Sequence, residues 1–294
     1  MKDNLSAYLY FVGWRLVRWL PEKTAYRLAN SVADFLTRRN GKSVSQLRSN
    51  LKRTQPNMTT IDLDRLVYKA MRSYLRYWCD TFRFPDWSAA KVRETVTVTN
   101  EHLLLDAIAA KTGVIVSLPH AGNWDHAGAY FCAKGVPLVT VAERLKPEKL
   151  YRKFLRYRQA MGMEVLPLDG RVIATLAQRL RQGSLVALVA DRDLSRTGIN
   201  VEFFGGPSRM PAGPALLALK TNAPLITAFV SYTEVGIHID FRVITLPGSG
   251  SNEEKVLKIV QMTAQHFEIG ISNHPEDWHM LQRIWTDGDF VERV

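Results

Sequence analysis

Apolar positions recur at helical spacing through the first third of the chain and at strand spacing after it. Across residues 21–87 the pattern is helical throughout. The stretch "EKTAYRLANSVADFLTRRNG" ends on a glycine suited to stop a helix, and "KSVSQLRSNLKRTQPNMTTIDLDRLVYKAMRSYLRYWCDTFRFP" predicts two or three more helices. Tyr68, Tyr74, Tyr77, Trp78, Phe82 and Phe84 sit at helical spacing there, as core aromatics do. Strands enter from residue 95: "TVTVTN" alternates, "HLLLDAIAAKTG" is a helix with a glycine stop, and "GVIVSLPH" is a buried strand. A helix at 124–134, a strand at 136–142, a basic helix at 147–161 and a short strand "MEVLPL" come next. The rest predicts a helix at 171–181, the strand "SLVALVAD", the helix "GPALLALKTN", the strand "PLITAFVSY" and an antiparallel strand "IHIDFRVIT" towards one edge. This alternation predicts an α/β fold: a mostly parallel central sheet with helices on both faces, an αβα sandwich, preceded by a helical segment. No linker interrupts it, so 1–294 reads as a single domain, with 1–90 helical and 91–294 the α/β core.

The first twenty residues, "MKDNLSAYLYFVGWRLVRWL", are too interrupted by Arg15 and Arg18 to span a membrane and have no small-residue cleavage site after Leu20. On a helical wheel Leu5, Tyr8, Leu9, Val12, Leu16 and Trp19 share one face, with Lys2, Arg15 and Arg18 towards its edges. That face suits either a membrane interface or the protein's own core. The 39 Lys and Arg against 28 Asp and Glu leave a net charge of +11, which calls for an anionic partner: nucleic acid, a phosphorylated cofactor or an acidic lipid surface. Cys79 and Cys132 lie in apolar or aromatic stretches without zinc or CxxC spacing, which predicts reduced, buried thiols and no metal site.

Candidate chemistry gathers at strand ends, where open α/β sheets bind ligands. His120 closes the strand "GVIVSLPH", and the small residues Ala121 and Gly122 leave room for another molecule to approach its ring. Asp125 follows five positions later, within reach of the ring if Asn123 begins the next helix. A carboxylate on one imidazole nitrogen fixes the tautomer and leaves the other nitrogen to take a hydroxyl proton. A second strand end carries Asp191 and Asp193 with Arg192 and Arg196, then "FFGG", Ser208, Arg209 and a Pro-Gly-Pro turn into a helix. Arginines beside glycine turns and helix N-termini suit a phosphate. Glu143 and Arg144, with Lys146, follow another strand and are candidates for a polar headgroup site, and Arg152, Arg156 and Arg158 make a basic helix.

These motifs resemble a family. "HAGNWD", "DRD" ahead of "EFFGG", and "RMPAGPALLA" look like the lysophospholipid acyltransferase superfamily in its bacterial lipid A lauroyl/myristoyl branch. The blocks "LPHAGNWD", "VAERLKPEKLY", "YRQAMGMEVLPL", "DRDLSRTG", "FFGGPSRMPAGPA" and "HPEDWHMLQ" are more closely similar to the actinobacterial phosphatidylinositol mannoside acyltransferase family. The resemblance implies palmitoyl transfer from acyl-CoA, a co-substrate rather than a bound cofactor, to the 6-hydroxyl of a mannose on phosphatidylinositol mannosides (PIM1/PIM2). It implies a peripheral protein at the cytoplasmic face of the plasma membrane. His120 falls on the family's base. Asp191 falls on its relay acid, written Glu-Arg-Asp in the family and here one methylene shorter, while Asp125 would orient the sugar or share the relay. Arg158 and Thr197 match positions near the pantetheine and phosphates of acyl-CoA. Lys220 stands where the family carries an acidic residue and receives no role.

The residues themselves agree with acyl transfer, which needs a base, donors for the developing oxyanion and a groove for an apolar chain. No Ser nucleophile elbow or reactive Cys motif is present, which favours direct attack in a ternary complex over an acyl-enzyme. A nucleic-acid binder would fit the charge, but no recognition-helix, RRM or zinc-finger pattern accompanies it. An acyl-CoA thioesterase would use the same His and Asp without an acceptor. Lipid A or a lysophospholipid are the alternative acceptors.

Overall fold

The computed structural model describes residues 13–143, 148–193, 195 and 197–288. A helical stretch at 13–19 leads into α1 (Glu22–Arg39), α2 (Lys42–Thr54) and α3 (Thr60–Arg83). Leu47, Leu51, Leu63, Val67 and Met71 are buried between these helices. Thr59 starts α3 by accepting a hydrogen bond from the Asp62 amide, one of the donors that a first turn leaves unpaired.

The α/β part begins with α4 (Ala89–Glu94), β1 (Val96–Thr99), α5 (His102–Ala109) and β2 (Val114–Leu118). It continues through α6 (Trp124–Ala133), β3 (Leu138–Ala142), α7 (Glu148–Ala160), β4 (Glu164–Pro167), α8 (Val172–Arg181) and β5 (Leu185–Val189). After β6 (Ile199–Phe203) and β7 (Gly206–Met210) come α9 (Gly213–Thr221), β8 (Leu225–Tyr232), β9 (Ile237–Ile244) and α10 (Asn252–Asn273). The main sheet has the order β1-β9-β8-β2-β5-β3-β4, with only the β8/β9 pair antiparallel. Successive residues of a strand face opposite ways. Accordingly Ile115 of β2 joins a core with Leu176, Leu217 and Phe267 of α8, α9 and α10, while its neighbours Val114 and Val116 join another with Leu104, Phe131 and Tyr157 of α5, α6 and α7. Helices thus cover both faces, as the alternation of elements predicts.

Three features go beyond or refine that prediction. β9 is antiparallel to β8, as expected near an edge, but the edge itself is β1, parallel to β9. The polar stretch around "EFFGG" is a separate hairpin, β6 on β7. Its two-residue turn is Phe204-Gly205, both at positive φ (47° and 67°), the conformation that matches the twist of paired strands, rather than a Gly-Gly turn. The long helix α10 packs on β6, β8 and β9 and opens with a capping box between Ser251 and Glu254.

Residues 13–20, the described part of the first twenty, are buried at one position and exposed at others. Residues 1–12 lie outside the described residues. Trp14 is buried, stacked on Phe82 at 5.0 Å and edge-on to Tyr157, with Lys153 over its ring. Leu16 and Trp19, from the predicted apolar face, are 48% and 74% exposed.

Candidate active site

The β2 strand delivers His120 to the carboxyl end of the sheet, and the neighbouring β5 delivers Asp191. The His120 Nδ1–H donates to Asp191 Oδ1 at 2.6 Å, and the His120 backbone amide donates to Oδ2 at 3.0 Å. Trp278 Nε1–H completes the set on Oδ2 at 3.1 Å. Asp191 is fully buried, and burial works to raise its pKa. The charge of His120 and the donated hydrogen bonds outweigh burial and hold the carboxyl below its ordinary value. The His120 side chain is 43% exposed, and with Nδ1 committed its Nε2 is the nitrogen left for a substrate. Trp124 stands edge-on to the imidazole at 5.6 Å.

The turn that carries His120 is clamped from behind by the segment after α10. His279 N–H donates to the His120 carbonyl at 2.8 Å, Gly122 N–H donates to the Asp277 carbonyl at 2.9 Å, and Ala121 bridges to Trp278. Gly122 has φ +55°, and a Cβ there would lie 2.5 Å from the Val230 carbonyl oxygen, so only glycine brings the turn this close to β8. Asp277 accepts from Ser73 Oγ at 2.6 Å and from the Tyr232 amide at 2.7 Å, and burial pushes its pKa up to about 6. The buried His279 imidazole, bonded to Ser73 Oγ through Nε2, is pushed down to about 3.

Asp125 does not join His120. Its carboxylate accepts from Arg158 Nε at 2.8 Å and from Tyr77 OH at 3.0 Å, and it is 2% exposed. This corrects the expectation that Asp125 turns back to the ring: H-x4-D spacing places it on the first turn of α6, where Arg158 of α7 pairs with it. Arg158, which the resemblance sets near the acyl-CoA phosphates, stands with Asp125 among the residues lining an apolar cleft. Burial disfavours the guanidinium charge, but Asp125 more than compensates and its pKa stands above the ordinary arginine value. Asn123 caps α6 by accepting from the His126 amide at 2.9 Å.

The remaining predicted residues lie around the loop after β5 and the end of β3. Arg192 is half-buried next to Asp191. Arg209 donates to Asn200 Oδ1 at 2.9 Å and to the Ser195 carbonyl at 3.2 Å, bracing that loop. Thr197 is exposed, with its hydroxyl 2.9 Å from that of Ser195. Glu143 is exposed at the end of β3, and Arg144 lies outside the described residues. Trp278, Tyr77 and Asp277 complete the site without any predicted role. Trp278 sits inside the "HPEDWHMLQ" block, but nothing in its local pattern points to a partner 87 residues away.

Beside the dyad an apolar cleft runs between α6 and the sheet. Trp124, Asp125 and Arg158 stand among its lining residues, and Val116, Leu138 and Phe241 are typical of the rest. Trp124, edge-on to the His120 ring, is among the lining residues, so the dyad borders an apolar groove.

The sequence profile described as "Bacterial lipid A biosynthesis acyltransferase" matches residues 2–287. The chain belongs to this family. It is an acyltransferase. A phosphatidylinositol mannoside acyltransferase of Mycolicibacterium smegmatis is 39% identical over 279 residues, covering 94% of this chain and 90% of the relative. One of Mycobacterium tuberculosis is 41% identical over 281 residues, covering 94% and 87%. Among the described residues of this acyltransferase, no helix is long and apolar enough to cross a membrane.

Proposed function

We propose that this enzyme moves a palmitoyl-type chain from acyl-CoA to the 6-hydroxyl of a mannose on phosphatidylinositol mannosides (PIM1/PIM2). The observation that carries the chemistry is the His120–Asp191 pair, which Trp124 links to the apolar cleft. The name of the relatives supports the acceptor. His120 Nε2 takes the proton of the sugar hydroxyl as its oxygen attacks the thioester carbonyl, and Asp191 stabilises the imidazolium. When the tetrahedral intermediate collapses, the C–S bond breaks, and the thiolate leaves with the proton returned from His120. No serine or cysteine is hydrogen-bonded to His120 among the described residues, which favours direct transfer over an acyl-enzyme. Arg192, Arg209, Thr197 and Glu143, in the loop after β5, the hairpin and the end of β3, are the groups proposed to meet phosphate and headgroup.

Both substrates carry acyl chains, so the enzyme is proposed to work while settled on the cytoplasmic face of the plasma membrane. Exposed Leu16 and Trp19 support this, together with Leu28, Val32, Phe35 and Leu36, which recur at helical spacing along α1. Arg15 covers the Trp19 ring and Arg39 the Phe35 ring, placing cations beside the apolar surface.

Mass spectrometry of lipids formed from palmitoyl-CoA and a panel of acceptors tests the assignment. A palmitoyl mass gain on mannosides, and none on lysophospholipid or a lipid A precursor, is the expected result. Free palmitate without acceptor dependence would make the protein a thioesterase and contradict the proposal.

A further inference from the structure

Three consecutive residues after α10 pair with three consecutive residues of the turn that carries His120. Asp277, Trp278 and His279 run antiparallel to Gly122, Ala121 and His120, joined by the Gly122 amide on the Asp277 carbonyl, the Ala121–Trp278 bridge and the His279 amide on the His120 carbonyl. The carbonyl of His120 is thereby held by this strap, while its amide and its ring are held by Asp191. Wherever the strap sits, the imidazole follows.

From α3, Ser73 ties the strap down at two points. Its hydroxyl donates to Asp277 Oδ1 at 2.6 Å and lies 2.9 Å from His279 Nε2. A hydroxyl has one proton to give. With that proton on Asp277, the His279 Nε2–H must donate to the Ser73 Oγ, which fixes the tautomer and leaves Nδ1 bare. His279 Nδ1 is buried and has no hydrogen-bond partner among the described residues. An unpaired buried nitrogen is unfavourable, and an apolar side chain would fill the space without it. The imidazole at 279 is therefore explained by its hydrogen bond to Ser73 rather than by packing. The same ring lies 5.6 Å from Tyr74 and 6.3 Å from Trp124, whose indole stands edge-on to His120.

We propose that Ser73 is a positioning residue for His120: by tying Asp277 and His279 to α3 it holds the turn where the imidazole meets Asp191. The inference rests on the reading of His120 as the base. Without the hydroxyl, a buried carboxylate and a buried imidazole each lose a partner, and strap and turn shift together to recover one. The short bond from His120 Nδ1–H to Asp191 then lengthens, and Nε2 leaves the line of the hydroxyl it must deprotonate. A misplacement of about 1 Å at a reacting group costs on the order of a hundredfold in rate. Ser73 makes no contact of its own with either substrate in this reading, so the loss falls on turnover and not on donor binding.

Two readouts on the full chain test this. One is the split between kcat and the KM for palmitoyl-CoA, and the other is the downfield proton resonance of His120 Nδ1–H, identified by its loss in His120→Ala, which needs no turnover. Ser73→Ala is expected to lower kcat by roughly tenfold to a hundredfold with the donor KM unchanged, and to move the resonance upfield as the bond to Asp191 lengthens. Ser73→Thr keeps the hydroxyl at a half-buried position and is expected to restore both. If Ser73→Ala does not fold, Asp277→Asn carries the same test, since a carboxamide keeps one acceptor oxygen for the two donors, Ser73 and the Tyr232 amide, that the carboxylate serves. Folded variants with the wild-type resonance, whatever their turnover, would overturn the positioning role. A displaced resonance with wild-type turnover would leave the positioning of the ring in place and contradict His120 as the base.

Discussion

At Asp191 three hydrogen bonds converge on one buried carboxylate, two from His120 and one from the Trp278 indole. The indole hydrogen bond is charge-assisted, and losing such a bond costs about 1.5–3 kcal/mol, or roughly tenfold to a hundredfold in rate if it falls on the transition state. Trp278→Phe keeps an aromatic ring but removes the donor and part of the buried volume. It is expected to lower kcat by that range and to move the acid limb of the pH–rate profile upward because Asp191 loses a stabilising donor, with a lower melting temperature from the lost volume and bond. A wild-type pH profile would assign Trp278 to packing only. His120 and Asp191 were legible in the sequence because each ends an apolar strand, a local signal. Trp278 was not, because its contact to Asp191 depends on how the C-terminal segment folds back. Asp125 misleads for the same reason: five-residue spacing to His120 is visible along the chain, whereas Arg158, 33 residues on, is not.

Among the elements, α6 links cleft and dyad, and it is held to α7 through Asp125 and Arg158 and to α3 through Tyr77. Removing one partner of a buried ion pair leaves the other charge uncompensated, which typically costs about 3–5 kcal/mol. Arg158→Ala is therefore expected to lower the urea midpoint strongly, and Asp125→Asn in the same chain to recover part of the loss by removing the stranded charge. If Arg158→Ala instead keeps full stability and only weakens binding of the acyl-CoA donor, the pair is not structural and the arginine serves the phosphates. Helices and strands of the core were legible because their apolar periods are strict. The hairpin was not, because "INVEFFGGPSRM" breaks its alternation at the turn and reads as a loop. The α10 helix, absent from the predicted elements, is marked both by its Ser251 to Glu254 capping box and by Val256, Ile259, Val260, Ala264, Phe267 and Ile271 at helical spacing.

For the whole molecule, the αβα architecture follows from alternating periodicity, but the surface proposed to meet a membrane depends on which apolar stripes stay uncovered after packing. Trp14 enters the core while Leu16 and Trp19 remain outside, a division no helical wheel of the segment contains. Leu16→Ser, Trp19→Ser and Phe35→Ser together are expected to weaken co-sedimentation with anionic vesicles by at least tenfold without changing the melting temperature, since each is already exposed. Unchanged vesicle binding would remove this surface from the account. Acid sensitivity is also a property of the whole chain. Burial lowers His126 to about 4 and His279 to about 3, whereas unfolded histidine titrates near ~6.5. As pH falls below that value the unfolded state takes up protons that the folded state refuses, so stability is lost at up to about 1.4 kcal/mol per pH unit for each histidine. Asp277, raised to about 6, works the other way: its contribution is present below the unfolded carboxyl value near ~3.9 and is lost as pH rises through 6. The histidine share is isolated by the difference between the urea midpoints of the wild type and His126→Gln, which is expected to shrink as pH falls below neutrality because only the wild type carries the buried neutral ring. A difference that does not change on acidification would contradict the burial of this histidine.

The most direct test of the central claim is acyl transfer by His120→Ala beside the wild type, followed by mass spectrometry of the mannoside product from palmitoyl-CoA. The variant loses an exposed ring and one hydrogen-bond donor but little buried area, so near-ultraviolet circular dichroism is expected to be unchanged while transfer falls by about 10²–10⁴. A folded His120→Ala protein that still forms the palmitoylated mannoside at the wild-type rate would contradict the account.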